Sequence, residues 1–154
     1  MSISERIDAY LAGPALLRAA VAGMTRDQLL ARPVPGKWST LEVVCHIADF
    51  EPVYVDRMKR VIALDNPPLL GADESLFARH LAYHDRDLEE ELRTVEVLRA
   101  AMARLLRSVP PAAFDRTGVH SERGPMSVTE LLATITGHIT HHVKFIDEKR
   151  AALK

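Results

Sequence analysis

Cysteine is nearly absent from this chain of 154 residues. Cys45 stands alone, which excludes an intrachain disulfide and any zinc site built on paired thiolates. Charge of one sign is lacking too. The net charge of -1 leaves no basic excess for a nucleic-acid backbone. No apolar run reaches 18 residues, so no membrane-spanning helix is expected. The opening residues, Met1 to Asp8, carry early charges of both signs and no apolar stretch. A secretory leader is therefore not expected, and a cytoplasmic setting is. Period-two alternation is missing throughout, as are nucleophile-elbow, phosphate-loop and dinucleotide-binding glycine patterns.

What is present is apolar residues at helical spacing. They make up 47% of a chain whose length suits one domain, 1–154, with its own core. Helix-breaking loops fall at Arg32–Lys37, Asp65–Gly71 and Ala112–Pro125. Between them the spacing predicts four long helices. The first runs from Ser4 to about Met24 and is expected to kink or restart at Gly13-Pro14. The second runs to about Leu64 behind the capping box Ser39-Thr40-Leu41-Glu42. The third covers about Asp85 to Ser108, with Asp73–Tyr83 as a short helix or an extension of it. The fourth covers Val128 to Arg150 behind Ser127-Val128-Thr129-Glu130, and Thr25 with Gln28 caps an extra short turn. Four amphipathic helices in one small all-α domain predict a four-helix bundle. The long link between the second and third permits a crossover.

The fourth helix carries the chemistry, in Gly137-His138-Ile139-Thr140-His141-His142. His138 and His142 stand one turn apart on one face, within roughly 40° of the centre of the apolar stripe, while His141 lies about 100° away as a flanking group. A third histidine, His46, falls in the core stripe of the second helix with Val43, Ile47, Phe50, Tyr54, Arg57 and Val61. A lone buried histidine is usually a hydrogen-bonded core residue. Three aimed at one interior are better satisfied as neutral donors to a cation. Such a set leaves coordination positions for water or substrate, and suits zinc, nickel, iron or copper. Other metal templates are missing: Ile139 follows His138 where a zincin has Glu, and no Glu precedes a histidine by three residues.

The remaining polar residues have plainer readings. Asp49 and Glu51 could orient a histidine N–H or could pair with Arg57, whose place in an apolar stripe demands an anion. His84 and His80 are four apart in a polar setting and read as solvated or substrate-edge groups. His120, in the loop before the fourth helix, reads as a surface residue able to approach the site. Cys45 reads as packing and Trp38 as a staple beside the helix cap.

The run from Arg32 to Glu51, taken with Gly118–Leu132 and Gly137–His142, resembles the DinB superfamily and its YfiT-like metalloenzyme branch over nearly the whole chain. The resemblance implies a four-helix bundle in up-down-down-up order and a divalent metal on His46, His138 and His142. It further implies a small-molecule substrate and a homodimer. Characterised members include thiol-dependent S-transferases and a mycothiol-dependent isomerase. The expected function is therefore S-transfer from a low-molecular-weight thiol. Hydrolysis by a metal-activated water, or a non-catalytic stress or ligand-binding bundle, are the other readings. One departure is Ile139, where members of this branch often carry Asp.

Overall fold

A computed structural model describes all residues, 1–154. Six helices form: α1 (Ile3–Val21), α2 (Arg26–Leu30), α3 (Thr40–Ala63), α4 (Glu74–His80), α5 (Leu88–Ser108) and α6 (Val128–Ala152). The four long ones are α1, α3, α5 and α6. Reciprocal capping boxes open α1, α2, α3 and α6, at Ser2, Thr25, Ser39 and Ser127. In each, the cap hydroxyl accepts the N3 amide while the N3 side chain accepts the cap amide, so two otherwise orphaned donors are satisfied.

Side-chain contacts fix the helix directions. Arg18 meets Glu89 while Asp8 meets Arg107, so α1 and α5 run antiparallel. Arg150 reaches the carbonyl of Ala20, and Gly13 faces Ile139, so α1 and α6 run parallel. His46 meets His142 near the start of α3, while Val61 packs into the same core cluster as Val128. Thus α3 opposes α6. The order is up-down-down-up: α1 lies diagonally across from α3, and the long α3–α5 link makes the crossover.

Two large apolar clusters fill the bundle. One joins Ile7, Tyr10, Met58, Met102, Leu106 and Leu131, and the other joins Leu17, Val43, Val44, Ile47, Val95 and Ile139.

Several expectations need correction. The α1 helix does not restart at Gly13-Pro14 but continues through the pair. Of the two readings of residues 73–83 the separate short helix holds: α4 ends at His80, a 3-10 turn covers Tyr83–Asp85, and Asp87 caps α5. The spacing of α5 makes Leu88, Leu92, Val95, Leu98, Met102, Leu105 and Val109 its buried stripe, but the buried face includes Arg99 and Leu106, whereas Leu98 and Leu105 are only partly buried. The all-α reading also missed a small sheet, β1 (Pro68–Leu69), β2 (Thr117–His120) and β3 (Gly124–Ser127), with β1 parallel and β3 antiparallel to β2. Strands of two to four residues that contain Gly and Pro carry too little alternation to be read. Gly118 is required there, because a Cβ would lie 2.9 Å from both the carbonyl of Pro67 and the Val61 side chain.

Candidate metal centre

Three histidines from two antiparallel helices turn their Nε2 atoms to one point. His46 Nε2 lies 2.8 Å from His138 Nε2 and 3.1 Å from His142 Nε2. The potential ligand atoms of all three fall within 4.8 Å of one another. The rings meet edge to face, with centroids 4.6 to 4.7 Å apart. The sequence dictates this placement. Ser39 caps α3 and sets His46 two turns in, while α6 carries its pair at i and i+4.

Hydrogen bonding alone does not satisfy this cluster. One Nε2–H of His46 could serve a single partner well, yet it faces two Nε2 atoms. Shared protons are disfavoured as well. Burial pushes His46 down to about 4, with His142 beside it adding to the effect. Burial pushes His138 down to about 2, with His46 and His142 contributing, and His142 down to about 4. At neutral pH all three rings are uncharged lone-pair donors facing one centre. This donor set fits a divalent cation.

The outer ends of the rings are less complete. Nδ1 of His46 and Nδ1 of His138 are buried without a protein partner. Asp49 and Glu51, expected as candidates to orient them, are engaged elsewhere. Asp49 takes a bidentate pair from Arg86 at 2.6 and 2.9 Å. Glu51 accepts the Tyr10 hydroxyl at 2.7 Å and lies 3.1 Å from Arg99 Nε. Neither pairs with Arg57, which instead donates to the carbonyl of Leu70 and lies over the Tyr54 ring.

His141 is exposed and packs edge-on against His142 and Phe145. His84 lies 2.9 Å from Ser39 Oγ and 3.2 Å from Glu42, so it braces the α3 cap rather than the triad. His120 is not a surface residue. It is buried on β2, where its Nδ1 accepts the backbone N–H groups of Glu122 and Arg123. Cys45 is inert packing: its thiol is buried, faces the Tyr83 carbonyl, and is pushed up to about 12 by desolvation.

Two features of the centre escaped the sequence reading. Glu74, at the start of α4, places Oε2 3.9 Å from His46 Nε2 while remaining largely exposed. Its only signal was membership of a short helix whose docking the spacing could not fix. The second is an aromatic wall. Trp38 and Phe50 pack at a tilt against His46 with centroids 5.1 and 4.7 Å away, and Phe77 of α4 packs on Phe50.

Known proteins share this architecture. The chain is 29% identical over 144 residues to a protein of Oceanobacillus iheyensis, covering 94% of this chain and 83% of that one. It is 32% identical over 141 residues to one of Geobacillus thermodenitrificans, covering 91% and 79%. Both relatives bear the name "putative metal-dependent hydrolase". The solved structure of YfiT from Bacillus subtilis, described as having an unusual four-helix bundle topology, superposes with a TM-score of 0.92 at 24% identity. That match covers 99% of this chain and 90% of YfiT. A mycothiol-dependent maleylpyruvate isomerase shares the fold with a TM-score of 0.74 at 12% identity, over 93% of this chain and 60% of that one. The DinB superfamily model matches residues 9–146, which take in all three histidines, and the chain belongs to that superfamily.

Proposed function

We propose that this chain is a metal-dependent enzyme that activates a low-molecular-weight thiol for transfer to an electrophilic small molecule. The observation that carries the reading is the convergence of three neutral imidazoles beside an exposed carboxylate. His46, His138 and His142 would hold zinc, nickel or iron. A divalent ion there supplies Lewis acidity, which lowers the pKa of a thiol or water that reaches it.

The chain's own residues do the rest. Glu74 Oε2 stands where it can take the proton released from the nucleophile. The thiol sulfur then forms its bond to the electrophilic carbon, and the leaving group departs with the electron pair. Trp38, Phe50 and Phe77 keep bulk water from the buried side of the triad. The thiol dependence named for the structurally similar isomerase supports this choice of nucleophile. The names of the sequence relatives favour a second reading, in which water is the nucleophile and the reaction is hydrolysis.

Elemental analysis of tag-free protein, beside His46→Ala and His142→Ala, tests the centre. About one divalent ion per chain in wild type, sharply reduced in both variants, is the expected result. Equal metal in all three proteins overturns it and leaves a non-catalytic binding bundle. Turnover of an electrophile is then measured with and without a thiol. Thiol-independent turnover to the hydroxy product decides for hydrolysis.

A further inference from the structure

Arg57 is a buried cation with no anion. It is 5% exposed, and no carboxylate lies within ion-pairing distance of it. Its neighbour Asp56 is bound to Arg60 at 2.7 Å. One hydrogen bond, from Nη2 to the carbonyl of Leu70, engages the guanidinium, and the Tyr54 ring covers one face at 4.8 Å. Nε is buried without a partner. Taking a guanidinium out of water is costly unless its charge and donors are matched, and neutral partners match only part of that. His120 offers it no counter-charge: burial first, and Arg57 second, hold that imidazole below the ordinary histidine range.

Arg57 also lines a cavity of about 620 Å³ between α3 and the β1 segment. Its walls are Pro52, Val53, Leu69 and Leu70, and its charged groups are Arg57, Arg60 and Asp56. None of the three histidines reaches it. Arg57 follows His46 by eleven positions on α3, which places it on nearly the same helix face roughly 16 Å further along.

We propose that this cavity is a binding subsite for a small organic carboxylate with an apolar body. Arg57 receives the carboxylate, and the proline, valine and leucine walls take the hydrocarbon. Two arginines against one aspartate leave one net positive charge, which suits a monoanion. Asp56 at the rim opposes a doubly charged phosphate. The assignment does not depend on the metal centre.

Phenylacetate is the probe, with its neutral amide and inorganic phosphate as comparisons. Binding is followed by calorimetry and by backbone amide shifts in wild type, Arg57→Met, Val53→Trp and His142→Ala. Saturable phenylacetate binding is expected in wild type and in His142→Ala, with shifts at Val53, Leu70 and Ala72. A loss of about tenfold or more in affinity is expected in Arg57→Met. Val53→Trp, which fills the cavity and leaves the arginine in place, should lose binding too. The proposal is overturned by no saturable binding in wild type, by equal affinity for the amide, or by undiminished binding in either cavity variant. Tighter binding of phosphate than of phenylacetate overturns the carboxylate assignment.

Discussion

Arg99 donates from Nη1 to the carbonyl of Tyr10 at 2.8 Å, and that carbonyl is free because Pro14, four residues on, has no N–H to give it. Nη2 donates to the carbonyl of Ile135 at 2.7 Å, and Nε lies 3.1 Å from Glu51, with neither side chain exposed to water. One arginine of α5 thereby links α1, α3 and α6 one turn beneath His138. Replacing Arg99 with Met should destabilise the fold by about 3–5 kcal/mol, because Glu51 is then left buried without its cation. Urea denaturation measures it. Glu51→Gln combined with Arg99→Met should recover part of the loss, and a single-variant loss under about 1 kcal/mol would show that the pair is dispensable.

Gly13 belongs to the same junction. A Cβ there would stand 2.4 Å from Arg99 Nη1 and 3.1 Å from the Ile139 side chain. The guanidinium cannot retreat without giving up two buried carbonyls. Gly13→Ala should therefore cost about 1–3 kcal/mol, although alanine is the better helix former. A more stable Gly13→Ala protein by thermal melting would sink this account.

The Gly13-Pro14 pair shows where the sequence could be read and where it could not. Its helix-breaking composition was visible, but its use depends on Arg99, 85 positions away, and periodicity carries no such information. The long helices, the caps at Thr25, Ser39 and Ser127 and the shared facing of His46, His138 and His142 were legible, because spacing and capping are local. Partner choice among charges was not. Asp49 went to Arg86, Glu51 to Arg99 and Arg57 to no acid, and each outcome depends on how helices dock. His120 was unreadable as a buried residue because the sheet that buries it is made of strands too short to leave a pattern.

Glu74 gives a test of the chemistry that leaves the fold intact. Its side chain is 61% exposed, so Glu74→Gln should leave the melting temperature and metal content near wild type. Loss of a positioned proton acceptor typically costs about 10²–10⁴ in rate. A fall in kcat of that order at unchanged metal content is expected in a steady-state assay. Full activity in Glu74→Gln would remove it from the proton path, and loss of metal would make it a ligand instead.

The histidine triad makes stability and metal affinity respond differently to acid. In the unfolded chain each imidazole titrates near 6.5, whereas in the fold His46 and His142 titrate near 4 and His138 near 2. The folded values are depressed, so below pH 6.5 the unfolded state takes up protons that the native state refuses. Stability of the metal-stripped protein is fully present above pH 6.5 and should fall as pH drops toward 4. The loss reaches at most roughly 2 kcal/mol per imidazole at pH 5. Metal affinity should instead stay nearly flat from pH 7 to pH 5, because the native rings are already neutral and no proton has to leave. Thermal melts of stripped and loaded protein across that range check both. A falling melting temperature for the stripped form, with a constant increment from the metal, is the expected pattern. An increment that collapses through pH 6.5 would mean the imidazoles titrate as ordinary exposed histidines, and the desolvation argued from their burial would be wrong.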